Sequence, residues 1–294
     1  MSGPHTNERL EIWMESQDAA MTYDIKLNQD FDSYCEMLEM LGQPTVNQFA
    51  ALSKDGRRNT FRRWLVENEP IEVDGFIEWQ CCKAIRTFLL FKDHLEGNEM
   101  GQQLIHEARQ VFYEENRFIM SSTLLDQFMS DSLGSWEKPV AVESLIRDIA
   151  IRVDRRYCES ENLALNLGGA FRLTDAERIS IEVVERGVPN GSDLATQETI
   201  KNMSMVVKDL IGHFGPRLEV SKLLFWDADY KDGLTVCPAV RYDIKPYWNA
   251  PSDTARARMQ KGEASFQETM QVQIAEWADQ SYDPYPLNAV GRDV

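Results

Sequence analysis

The sequence predicts a mainly α-helical protein: a body of one or two helical lobes, one small β-hairpin near 217–245, and a C-terminal helix followed by an extended tail. Three observations predict it. Apolar residues recur at three- and four-residue steps almost without a break up to about residue 214. Over 217–248 they alternate instead. Past Ala250-Pro251 the helical spacing returns, and Tyr282-Asp-Pro-Tyr-Pro286 then ends it, because proline supplies no amide hydrogen.

Amphipathic stripes cover 30–42, 45–68, 72–95, 101–118 and 121–132. Over 140–158 the stripe is Val142, Leu145, Ile146, Ile149, Val153 and Tyr157, with charges on the other side, and 174–187 reads the same way with Asp175 as its N-cap. Gly187-Val-Pro-Asn-Gly191 then reads as a loop between two helices. Asp193 caps a helix over 197–214 whose stripe is Ile200, Met203, Val207, Leu210, Ile211 and Phe214, and Gly215-Pro216 stops it. Leu218, Val220, Leu224 and Trp226, then Val236, Val240, Tyr242 and Ile244, read as two strands joined through 227–233. Pro238 confines the second to an edge. Ser252 caps a last helix to about 278. Gly134-Ser135 to Pro139 is the best internal boundary. It divides an N-terminal lobe, 1–133, from a second lobe with the hairpin, 140–278, and leaves a tail, 279–294; one undivided domain fits the same pattern.

Composition narrows the class. With 43% apolar and 27% charged residues, the chain can bury a core without staples. A formal charge of −17 is spread along the chain and not gathered in a tail, which works against binding to polyanions and anionic membranes. Residues 215–250 are the exception, holding five basic and five acidic residues. The start, Met1-Ser2-Gly3-Pro4-His5, lacks a signal-peptide pattern, and no apolar run reaches the ~18 residues of a membrane span. Five cysteines, an odd number without zinc or redox spacing, favour a reducing, intracellular and cytoplasmic setting.

The stretch most suggestive of chemistry is Leu223-Leu-Phe-Trp-Asp-Ala-Asp-Tyr-Lys-Asp-Gly233, an apolar run delivering Asp227, Asp229 and Asp232 to its tip. An apolar strand ending in Asp-x-Asp resembles the metal-binding element of many nucleotide-sugar glycosyltransferases. The resemblance spans about eight residues and implies that Asp227 and Asp229 hold a divalent cation that neutralises a departing diphosphate. It also implies a nucleotide-binding parallel sheet upstream, where this sequence reads as helices. An EF-hand loop fails, because Lys231 stands at a ligand position and no closing Glu follows. A polar hairpin loop accounts for the same residues.

Arginines form the second group. Arg57, Arg58, Arg62 and Arg63 fall within seven positions, with Arg58 and Arg62 on one helical face, and Arg155 and Arg156 lie further on. Brought together, Arg58, Arg62, Arg155 and Arg156 could follow a phosphate backbone; apart, they pair with nearby acids. His106-Glu-Ala-Arg-Gln110 begins like a zinc-protease helix but has Gln where the second histidine belongs. Phe61, Leu65, Glu69 and Trp79 resemble in spacing the helical core of regulators of G-protein signalling, but Glu72-Val-Asp74-Gly75 lacks the asparagine those domains use. Tyr242, Tyr247, Trp248, Tyr282 and Tyr285 gather near prolines outside the helical body and suit docking onto another subunit.

Taken together, the residues predict a non-enzymatic intracellular interaction or self-assembly protein, with no catalytic residues and no cofactor, whose partner is another protein or a second copy. A helical nucleic-acid-coating protein is the first alternative, and a metal-dependent transferase using Asp227 and Asp229 the second.

Overall fold

The computed structural model describes residues 31–73, 82–95, 97, 99–131, 140–154, 162–185, 187–224 and 240–280. The chain divides into two compact units, one of 1–66 with 83–112 and one of 67–82 with 113–294. The expected junction at 134–139 and the tail beyond 280 lie outside the described residues.

The first unit is helical. It contains α1 (31–41), α2 (Val46–Ala50), α3 (Lys54–Leu65), α4 (Lys83–Leu95) and the part of α5 (Glu99–Glu115) up to residue 112. Thr45 and Ser53 cap α2 and α3 by accepting from the backbone of Gln48 and Gly56. An aromatic core joins these helices: Phe61 meets Phe49 and Phe91 edge-on at 5.3 and 5.6 Å, and Phe88 stacks on Phe112 at 4.5 Å. The α4–α5 turn is tight enough that a Cβ on Gly101 would lie 1.7 Å from the Leu95 carbonyl oxygen.

The second unit overturns the mainly helical expectation. It contains a six-stranded sheet of β1 (Ile71–Val73), β2 (Arg117–Ser121), β3 (Asp148–Asp154), β4 (Arg178–Val184), β5 (Leu218–Leu224) and β6 (Val240–Asp243), ordered β1-β2-β3-β4-β5-β6. The first five strands are parallel and β6 is antiparallel to β5. The fold is therefore α/β. The pair expected near 217–245 does form, as one edge of this sheet and not as a lone hairpin. The helices expected over 140–158 and 174–187 are β3 and β4, and the adjoining ends of two more expected helices are β1 and β2.

The reason is local and physical. Ile149, Ile151 and Val153, like Ile179, Ile181 and Val183, are β-branched residues at two-residue spacing, and they fit a pleated surface better than a helix. Register places both triplets on one face, joined by Phe118 and Met120 of β2 and by Leu218, Val220 and Lys222 of β5. Lys222 reaches the hydroxyl of Thr196 on α8 (Leu194–Phe214), so α8 covers this apolar face. The helices grouped with α8, which itself packs on β5, are α6 (Leu125–Met129), α7 (Leu163–Gly168) and, after α9 (Asp253–Gln260), α10 (Phe266–Gln280), and they form one set. Within it α6 packs on α7, α7 on α8 and α8 on α10. Successive right-handed crossovers in one direction produce such a single layer. The last helix, expected as one piece, is broken into α9 and α10 at Gly262, which sits at φ +72°.

Candidate functional site

In a parallel sheet the loops that follow the strands share one edge. The best-defined of them here links β4 to α8. Gly187 and Gly191 take φ of +123° and +75°, and a Cβ at either would lie 2.7 Å from the Asp193 carboxyl carbon or 2.9 Å from Thr196 Cγ2. The Gly191 amide donates back to the Val188 carbonyl (2.9 Å), closing a turn around Pro189-Asn190. Asp193 caps α8, accepting from the Thr196 amide and hydroxyl (2.9 and 2.8 Å).

A buried cation holds this loop. Lys222 on β5 is 0% exposed, and its Nζ donates to the Val188 carbonyl (2.9 Å), Asp193 Oδ2 (2.6 Å) and Thr196 Oγ1 (2.7 Å). Those three bonds use all the hydrogens an ammonium has. Burial alone would raise the Asp193 carboxyl, but bonds from Lys222 and Thr196 and the ammonium charge outweigh it and hold the pKa below its ordinary value. A second tether comes from the Tyr247 hydroxyl, which donates to the Asn190 carbonyl (2.7 Å). Despite this fixation the loop shows apolar side chains to solvent: Val188 is 45% exposed and Leu194 is 79% exposed.

The face of the sheet opposite the apolar one is polar. Ser121, Arg152, Glu182, Ser221 and Asp243 are aligned across five strands. Arg152 donates to Glu72 (2.9 Å) and to Glu182 (3.3 Å), and Arg241 pairs with the second oxygen of Glu182 as an ion pair without hydrogen-bond alignment. Glu182 is 0% exposed, so both neighbouring guanidinium groups serve to keep its charge inside. Elsewhere, a cleft of about 220 Å³ in the first unit is walled in part by Tyr34, Asn47, His94 and Gly101, and its one imidazole has no carboxylate partner in that wall.

The residues singled out from sequence fall as follows. Asp227, Asp229 and Asp232 lie outside the described residues, as do Arg155, Arg156, Tyr282 and Tyr285. Arg58 and Arg62 share α3, half-buried and exposed respectively, while their neighbour Arg57 is committed to a two-pronged bond with Glu107 (2.7 Å on each arm). Tyr242 is half-buried on β6; Tyr247 and Trp248 are buried, and the Trp248 indole donates to the Ser204 carbonyl (2.9 Å). Sequence reasoning identified Asp193 as a cap but missed its partner Lys222. The available signal was a lysine on the inward register of an otherwise apolar strand, Leu218-Glu-Val-Ser-Lys-Leu-Leu224. It also read 187–191 as joining two helices, when the loop joins a strand to a helix.

Among the described residues, no group of three or more His, Cys, Asp or Glu is placed to hold a metal, and no helix is long and apolar enough to cross a membrane. No family model, curated protein or solved structure matches the chain.

Proposed function

We propose that this chain is a non-enzymatic interaction or self-assembly protein of a reducing intracellular compartment, with the β4–α8 loop as a contact surface. The observation that carries the reading is the strand order. In open α/β sheets, small ligands bind where the order reverses, because the loops on either side part there into a crevice. The described strands run β1 to β6 without a reversal, so the same edge offers a continuous row of loops. Stacks of strand–helix units added in one direction form extended surfaces suited to binding other macromolecules.

Two further features support it. Two of the charged groups buried near this edge, Lys222 and Glu182, are engaged in holding the loop and the strands. Of the side chains that the fixed loop turns to solvent, Val188 and Leu194 are large and aliphatic, alongside Pro189, Asn190 and Ser192. Cys35 and Cys82 are free thiols, in keeping with reducing surroundings. The test is size-exclusion chromatography with light scattering on the chain in extract from its own cells. A mass well above 33.8 kDa is expected; a monomer there, together with divalent-ion-dependent turnover of a nucleotide sugar, would overturn the reading.

A further inference from the structure

We propose that the outer edge of β6 pairs with the same edge of a second copy of this chain, antiparallel and centred on Tyr242. This surface is separate from the β4–α8 loop, so the inference goes beyond that reading. The two end strands of the described sheet differ. β1 is closed off, with Ile71 and Val73 only 2% and 0% exposed. β6 is open: Val240, Arg241 and Asp243 are exposed and Tyr242 is half-buried. An open strand edge presents a row of backbone donors and acceptors that a further strand can use.

Backbone phase fixes which groups those are. Ser221 stands opposite Asp243 and Lys222 opposite Tyr242. The Ile244 amide donates to the Val220 carbonyl (3.0 Å), continuing that register. Bonded and unbonded pairs alternate in an antiparallel ladder, so Tyr242 and Val240 also turn their backbone groups to β5. Arg241 and Asp243 turn theirs outward. A second β6, related by a two-fold axis at Tyr242, sets Arg241 opposite the partner's Asp243, and the outward groups meet donor to acceptor.

Side chains select the same register. Charges on edge strands keep other strands away when like meets like. Here the facing charges are opposite, Arg241 against Asp243 on both sides of the axis. The nearest registers that keep the backbone phase would set Arg241 against its own copy, or Asp243 against its own. Arg241 pairs with Glu182, yet its side chain stays 41% exposed, and a guanidinium carries five N–H donors. Asp243 uses Oδ1 to accept from the Lys245 amide (3.0 Å), which leaves Oδ2. On the other face Tyr242 meets its copy at a closely spaced, unbonded position, and Val240, 39% exposed, falls diagonal to the partner's Tyr242. The chain as a whole carries −17, but residues 215–250 hold five basic and five acidic residues, so the contact itself is not opposed by local charge.

The test is sedimentation equilibrium of the purified full chain at physiological salt. A monomer–dimer equilibrium that moves toward dimer with concentration is expected, weak because a strand of 4 residues buries little area. Asp243→Arg puts like charges opposite each other on both sides of the axis and should weaken the dimer about tenfold. Its position is exposed, and circular dichroism should show the fold unchanged. Tyr242→Cys and Val240→Cys under mild oxidation read the register, with the linked peptides identified by mass spectrometry. Thiols at position 242 should join across the axis, where Cα atoms approach to about 4.5 Å, and those at position 240 should not. A chain monomeric at every concentration, a dimer indifferent to Asp243→Arg, or linkage at 240 equal to that at 242 would each overturn the proposal. None of these substitutions lies in the β4–α8 loop; the loop reading is judged in cell extract and this one on the purified chain, so the two fail separately.

Discussion

Replacing Lys222 with methionine isolates the lock on which the loop depends. Methionine has similar length and restores packing in the strand, so the change removes charge and three donors with little loss of volume. Left behind are the Val188 carbonyl, which keeps only its bond from the Gly191 amide, and the Asp193 carboxylate, which keeps its two bonds from Thr196 and a longer one from the Val188 amide. Removing one member of a buried pair costs about 3–5 kcal/mol because the other stays charged. The Asp193 side chain is still 19% exposed, so water relieves part of that cost and the lower end, about 3 kcal/mol, is expected. Asp193→Asn in the same chain should recover at least about 1 kcal/mol of it, since asparagine caps a helix about as well as aspartate and carries no charge to strand. Urea unfolding with unchanged slope measures both. Hydrogen exchange at Val188, Gly191 and Thr196 reports local opening. The acid limb supplies a third check. Asp193 has a lowered pKa when folded, so its contribution is full above the ordinary aspartate value of about 4 and is lost as pH falls through the lowered one. That loss should shrink in Lys222→Met. A cost below about 1 kcal/mol with unaltered exchange would refute the reasoning, because a lysine with all three hydrogens engaged cannot be that dispensable.

Other outcomes follow from the same structure. Gly101→Ala should cripple the first unit, because its methyl would sit inside the Leu95 carbonyl; circular dichroism during heating should show an early transition. Glu182→Gln leaves Arg152 and Arg241 facing a neutral amide, and a cost of about 3 kcal/mol is expected in urea. Tyr247 is held above the ordinary tyrosine pKa, first by burial and then by Asp243. The unfolded chain therefore ionises first, stability is full below about pH 10 and falls as pH rises through the folded value, and Tyr247→Phe should flatten that fall in alkaline denaturation monitored at equilibrium. Arg57→Met strands Glu107, which is 11% exposed, and should lower the melting temperature of the first unit by clearly more than Arg62→Met, whose side chain is exposed.

What could be read from sequence depended on whether the signal was local. The helix at 194–214 was legible throughout: Asp193 caps it, Ile200, Met203, Val207 and Leu210 are buried, and Gly215 ends it at φ +58°. The strand at 148–154 was not. Ile149 and Val153 are four residues apart, and with Val142, Leu145 and Ile146 they complete a helical stripe. The decisive residue is Ile151, which lies on the opposite side of any helix from that stripe but in line with Ile149 and Val153 on a strand. Its partners, Met120 and Ile181, lie some thirty residues away in either direction, so the pairing that settles the matter is invisible to any local window. The same mistake hid the sheet upstream of Asp227. That sheet is now plain, and the order of its described strands shows no reversal. In the candidate site, the glycines and the cap could be read off, but the lysine facing them from twenty-nine residues on could not.

The most direct test of the central claim is hydroxyl-radical footprinting of the chain alone and in the complex isolated from its own cells. The account predicts that oxidation of Val188 and Leu194 falls sharply on assembly. Equal labelling of Val188 and Leu194 in the two states would contradict it.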